Sequence, residues 1–334
     1  MSVDLKKLFL FLAEQTGAYR LSRKHFADKL HILCYHGFSY GDQSSFRPKL
    51  FIEEETFKAR IEYLVKNNFR FLSLSEFDDY LKGRLVCKNP VLLTIDDGWK
   101  GTHEIALPIL KKYGIPHVIY LYTDCFVRGV PVVNVLLQYA LWKTRHRTVE
   151  WNSSSYDLSS VDSRNELLRQ LLLETKELSV LQLNLALKRI FDALGLDYVK
   201  EREWENFRLI NEAEIKDHLA NGGTFQLHTH HHVNPLQDDL LKAELLENQR
   251  IIESVTGQKA EHFCYPSGEY SPAQFPLLRE MEIKSAVTCR PGLNRSATQP
   301  YELMRFLDGE NISQGEFEAE MNGFMEVARK LRKR

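Results

Sequence analysis

Val91-Leu-Leu-Thr-Ile-Asp-Asp-Gly-Trp99 decides the reading of this 334-residue chain. Positions 91–93 and 95 are apolar, interrupted only by Thr94, the pattern of a strand buried on both faces. The run ends on two adjacent carboxylates, Asp96 and Asp97, followed by Gly98. Like charges at close range resist joint ionisation, so the pair is costly at a buried strand end unless a cation compensates. A bound metal removes that cost. The competing reading is a pair of turn or helix-cap aspartates.

Working outward, residues 31–35 read as a first strand ending at His36-Gly37, followed by a polar loop over 39–48. Residues 53–67 carry apolar positions at one-sided helical spacing. A short strand over 70–74 precedes a helix opened by Ser75, with Glu76 in its first turn. A helix over 100–113 stops at Gly114 and Pro116, and 117–122 is a further buried strand. Strand alternating with helix predicts a parallel sheet or barrel.

The alternation breaks at about 125–208, where Leu-rich runs over 167–173 and 178–187 predict an inserted helical subdomain, punctuated by the polar stretch 151–160. It resumes with Asn211 and Glu214 in capping-box spacing. Strands are expected at 224–227, 262–265, 285–288 and 303–307. Helices are expected over 238–255, from Ser271-Pro272, and from near Ser313.

Lys+Arg 44 against Asp+Glu 45 leaves a net charge of -1, and 43% of residues are hydrophobic. That balance excludes a general nucleic-acid binder. Five of the last six residues are basic (Arg329, Lys330, Arg332, Lys333, Arg334), which suits a solvated helix end or weak attraction to an anionic membrane or lipid-linked substrate. The apolar run 8–13 lacks a following small-residue cleavage site and reads as an amphipathic surface helix within an N-terminal helical segment, 1–30. No stretch has transmembrane length. The five scattered cysteines suggest buried free thiols. The expected compartment is the cytoplasm.

The strand at 224–227 runs into His228-Thr-His-His-His-Val-Asn-Pro-Leu236. Histidines four apart, such as His228 and His232, can share one face of a helical turn and bind one metal. An exposed polar turn with adventitious metal capture is the duller account. Both this cluster and the aspartate pair follow buried strands, where the sites of α/β barrels gather. One carboxylate with two histidines leaves metal positions open, the arrangement of a hydrolytic divalent centre, zinc above all.

At these residues the chain resembles a known family. Thr94-Ile-Asp-Asp97 is similar to the Thr-Phe-Asp-Asp motif of the NodB-homology polysaccharide deacetylases (carbohydrate esterase family four), and 228–232 fits their H-[ST]-x-x-H motif. Cys34-Tyr-His-Gly37, Phe263-Cys-Tyr-Pro-Ser-Gly268 and residues 284–292 resemble further family segments. The matches span 31–125 and 209–310. The resemblance implies an α/β fold, a distorted (β/α) barrel of fewer than eight repeats interrupted by the helical insertion, that removes an N-acetyl group from an amino sugar. It implies that Asp97, His228 and His232 hold the metal and that Asp96 is the general base. The loop Tyr265-Pro266-Ser267 is expected to supply a backbone N–H to the oxyanion, with Trp99 a further substrate contact.

Two departures stand out. Where the family carries an Arg that orients the base, this chain reads Cys264-Tyr265, so Arg305 or Arg290 must enter from elsewhere, and Arg305 is preferred. The family's late general-acid histidine is also missing, since no histidine follows His262. An amine leaving group needs a proton, and His36, His230 and His231 are the candidates. The expected function is sugar N-deacetylation in polysaccharide or lipopolysaccharide assembly. The alternatives are a deformylase or other small-amide hydrolase, and a non-catalytic barrel that binds a glycan or a partner protein.

Overall fold

The structure is a computed structural model describing residues 3–176, 178–198 and 203–332. One all-parallel sheet organises it, in the spatial order Ser285–Val287, His262–Cys264, Gly223–Leu227, His117–Leu121, Pro90–Asp97, His31–Tyr35 and Phe306–Leu307. Arg70–Phe71 lies beside the start of Pro90–Asp97. Every residue of Pro90–Asp97 is buried, as its apolar run predicts, and Thr94 satisfies its hydroxyl by donating to the Leu33 carbonyl at 2.6 Å. The sheet curls into the distorted (β/α) barrel expected from the sequence, with helices around it.

Residues 303–307, expected as a single last strand, bridge the two edges of the sheet instead. Leu303 N–H donates to Ala286 O at 3.1 Å, while Phe306 and Leu307 pair with Leu33 and Cys34. Arg305 therefore sits at the seam.

Several boundaries move for local reasons. The helix expected from Ser75 is Leu74–Leu81, because Ser73 and Glu76 form the capping box. The helix after the aspartates contains a π-helical segment, Thr102–Ala106, before Leu107–Tyr113. Asn211 and Glu214 form the expected capping box on Glu212–Ala220. The polar stretch expected to punctuate helices is a β-hairpin, Thr148–Trp151 with Ser154–Asp157. It buries Val149, Trp151 and Tyr156 on one face.

The inserted segment builds its own core, with Leu136, Leu167, Leu187 and Phe191 among its buried residues, and shares it with Phe51 and Trp99. Its exit is pinned beside the aspartates: Lys100 N–H donates to Arg208 O at 2.9 Å and Ile210 N–H to Gly98 O at 2.8 Å. The first helix, Val3–Gln15, buries Leu10 and Ala13 against Ala319 near the far end of the chain, while Leu8, Phe9, Phe11 and Leu12 stay exposed. Its surface position agrees with expectation; its outer face is more apolar than expected. Among the described residues no helix is long and apolar enough to cross a membrane. All five cysteines are free, but only Cys34 and Cys264 are buried, fewer than expected.

Candidate metal and acid–base site

Asp97, the last residue of its strand, adopts a left-handed backbone (φ 70°), a region that Asp tolerates better than most residues. Gly98 follows at φ 84°, where an added Cβ would lie 2.6 Å from Leu121 Cδ1. This turn brings the Asp97 carboxylate to the histidine loop. Oδ1 lies 3.3 Å from both His228 Nε2 and His232 Nε2, and Oδ2 accepts from Trp99 Nε1 at 2.8 Å. The two histidines are not on a helical turn: their loop is irregular, with Thr229 at φ 63° and His232 at φ 56°. The left-handed residues make the imidazoles converge, with ring centroids 4.8 Å apart.

Hydrogen-bond logic tests whether these three groups fit a cation. His228 Nδ1 lies 2.8 Å from the Cys264 carbonyl. A carbonyl only accepts, so Nδ1 carries the proton and Nε2 presents a lone pair. Asp97 Oδ1 is buried with no hydrogen-bond donor. Ligand atoms of Asp97, His228 and His232 thus lie within 4.8 Å of one another, an electron-rich pocket of hard oxygen and imidazole nitrogen suited to a divalent ion.

Asp96 faces the other way. Its Oδ1 accepts from Arg305 Nη1 at 2.7 Å, both groups being buried. Arg305 is fixed further by donating from Nε to Thr288 O at 3.0 Å, and Nη2 lies 3.2 Å from Cys264 Sγ. The small side chain at position 264 leaves room for a guanidinium arriving from the seam. Burial pushes the Cys34 and Cys264 thiols well up, so both stay protonated; they donate to Asp96 Oδ2 at 3.5 and 3.3 Å. Although burial opposes charge on Asp96, Arg305 outweighs it and keeps the carboxylate ionised far below its ordinary pKa. Arg290 is not part of this arrangement; it sits 3.7 Å from Glu302 and over the Tyr270 ring.

Of the proton-donor candidates, His36 alone approaches the pair, with Nε2 3.7 Å from Asp96 Oδ2. Burial lowers its pKa, against the pull of Asp96 and Asp97. His230 and His231 point elsewhere, to Thr123 Oγ1 at 2.9 Å and to Glu244 Oε1 at 2.7 Å. They form a separate cluster with Asp124.

One expected substrate contact is corrected. Tyr265 is wholly buried, its hydroxyl donating to Tyr301 O at 3.1 Å and its N–H to Val287 O at 3.3 Å. It packs in the core. Trp99 lines the cavity beside Asp97 and gives its indole N–H to that carboxylate. Pro266 is buried in the following turn and has no N–H, and Gly268 N–H returns to Tyr265 O at 2.9 Å. Ser267, at φ 59°, lines the cavity beside Asp97 and His232, and its N–H is this turn's remaining donor.

Sequence reasoning missed Asn248. On the helix Asp238–Thr256, its Oδ1 accepts from His228 N at 2.9 Å and its Nδ2 donates to Leu121 O at 2.9 Å and Thr123 Oγ1 at 3.1 Å. The signal was a lone amide in the buried stripe Leu241, Leu245, Asn248, Ile252.

Comparison with known proteins follows the same lines. Residues 194–286 match the family model described as polysaccharide deacetylase. A poly-beta-1,6-N-acetyl-D-glucosamine N-deacetylase of Staphylococcus epidermidis is 33% identical over 73 residues, 22% of this chain and 25% of that protein. The chain matches only between 25% and 32% of the length of such curated relatives. Streptococcus pyogenes deacetylase PplD, solved with acetate, superposes with a TM-score of 0.59 at 18% identity, covering 88% of this chain and 99% of its own. IcaB from Ammonifex degensii gives 0.57 at 20% identity, covering 88% and 97%. The resemblance carried by the motifs is borne out, and the fold is that of the NodB-type deacetylases.

Proposed function

We propose that this chain, built on the polysaccharide deacetylase fold, is a metal-dependent hydrolase that removes the N-acetyl group of an amino sugar during polysaccharide or lipopolysaccharide assembly. The observation that carries the reading is the division of labour between adjacent carboxylates, Asp97 turned to two imidazoles and Asp96 to a buried guanidinium. A binding protein needs no such second carboxylate. Asp97, His228 and His232 would hold the ion, zinc being the best match to one carboxylate and two imidazoles. When bound, a divalent ion polarises the amide carbonyl and lowers the pKa of water towards ~7.

The remaining steps belong to the chain itself. Asp96, kept ionised by Arg305, takes the proton of the attacking water. His36, neutral at rest and 3.7 Å away, relays that proton to the leaving nitrogen. Ser267 N–H donates to the developing oxyanion. The five free cysteines support action in a reducing compartment, the cytoplasm. Weak attraction of the basic tail to anionic surfaces belongs to the same proposal, reduced because Arg329 is paired with Glu320 and Glu326; Lys333 and Arg334 lie outside the described residues.

The test is Asp96→Asn assayed for acetate release from an N-acetylated glucosamine oligomer, with metal content measured in parallel. Turnover is expected to fall about 10²–10⁴-fold at unchanged metal content, the usual contribution of a positioned base. Undiminished turnover removes Asp96 from the mechanism.

A further inference from the structure

The cavity reaching Asp97, Trp99, His232 and Ser267 has a volume of about 900 Å³. That is near the top of the range for small-molecule sites and leaves space for a group attached to the sugar. The same cavity is lined by two parts of the chain distant in sequence: Arg47, on the loop before the Phe51–Ile52 strand, and Arg128, on the insertion's first helix, Asp124–Arg128. Arg47 is half-buried; it donates to Gln138 Oε1 and lies over the Phe46 ring, but has no carboxylate partner among the described residues. A cation withdrawn from water without a counter-ion is costly, and the cost is recovered when an anion binds. Arg128 donates to Leu178 O at 3.2 Å and is only loosely paired with Asp124, at 3.4 Å. Val132, Val133 and Leu178 form an apolar wall of the same cavity.

We propose that Arg47 and Arg128 bind the phosphate of a phosphorylated, N-acylated amino sugar, holding it so that its amide reaches Asp96. Guanidinium groups match phosphate oxygens in pairs, with directional N–H donors. The inference rests on the hydrolase reading of the neighbouring carboxylates. It adds that the substrate carries a negative charge, placed where the cavity is lined by Arg47 and Arg128.

The test uses the zinc-loaded full chain carrying Asp96→Asn, so that bound ligand is not consumed. Calorimetry compares N-acetylglucosamine 1-phosphate, its decyl phosphodiester and methyl N-acetylglucosaminide. Both phosphates are expected to bind at least about tenfold more tightly than the methyl glycoside, an advantage of about 1.4 kcal/mol. Arg47→Gln and Arg128→Gln should each abolish that advantage and leave methyl glycoside binding unchanged, which also shows that the variants fold. A tighter diester assigns the ligand to an apolar carrier, and equal affinity assigns it to a free sugar phosphate. Equal binding of charged and neutral sugars overturns the proposal, as does a phosphate advantage that survives in both arginine variants. Acetate release by the wild-type chain separates the two readings: arginine-dependent binding without acetate rejects the hydrolase and keeps the phosphate site.

Discussion

Asp97 presents one bare oxygen to the imidazoles, because the other is tied to the Trp99 indole. Removing the tie frees the carboxylate to rotate. Trp99→Phe is expected to weaken zinc binding about 10–100-fold, the usual effect of losing a group that orients a metal ligand; competition with a chromogenic chelator reads it. Arg305 plays the matching part for Asp96. Arg305→Met leaves a buried carboxylate unpaired and should cost about 3–5 kcal/mol in thermal unfolding. Burial then dominates, so the Asp96 pKa rises. The acid limb of the pH–rate profile should move to higher pH, and an unmoved limb separates Asp96 from that titration. Both aspartates were legible in the sequence because carboxylates at the end of a buried run conflict with burial. The partners were less so. Arg305 was reachable only by noticing that Cys264 stands where an Arg was expected, and the indole's hydrogen bond to Asp97 was not, because sequence does not show where a ring turns.

At the scale of elements, the helix Asp238–Thr256 holds the histidine loop through Glu244, which accepts from the His230 and His231 N–H groups at 2.9 and 2.8 Å, and through Asn248, whose amide is bonded to the His228 N–H, the Leu121 carbonyl and the Thr123 hydroxyl. Asn248→Ala strands buried groups, each costing about 1–3 kcal/mol. It should lower the melting temperature and weaken zinc binding together. Loss of stability with intact zinc affinity would show that the helix does not steer His228. Long periodic helices and the buried strands were readable because each carries one dominant pattern. The hairpin was not. Its strands are short, Val149 and Trp151 alternate with polar residues, and the turn at Asn152 and Ser153 (φ 48° and 62°) is of the left-handed kind that hairpins favour. The Asn was the available signal, outweighed by the leucine-rich helices on its C-terminal side.

Over the whole molecule, four buried histidines are kept neutral. Burial pulls His31 down to about 3, His117 and His262 to about 4 and His218 to about 2. His117 Nε2 and His218 Nδ1 lie 2.8 Å apart, an arrangement that needs an unprotonated acceptor. A depressed folded-state pKa means that the unfolded chain takes up protons first as pH falls. The associated stability is complete above the unfolded value of 6.5 and is lost progressively down to the folded values. Each such histidine costs about 1.4 kcal/mol per pH unit in that window. Metal-free protein should therefore melt at steadily lower temperature from pH 6.5 to 4, and a flat profile would contradict buried neutral imidazoles. Folding class was legible at this scale because strand–helix alternation survives an interruption. The packing of the insertion's exit onto the Gly98–Lys100 turn was not, since backbone hydrogen bonds leave no mark on residue choice.

The seam at residues 303–307 sets an order of assembly. A ribosome releases Asp96 and Asp97 long before it releases Arg305, so the growing chain carries an acidic pair that has no guanidinium to receive it. The barrel interior can accept Asp96 as an anion only once the last strand is docked. Shape and reactivity are therefore completed by the same late event, and chains cut short before residue 305 should be cleared as misfolded rather than accumulate as inactive barrels.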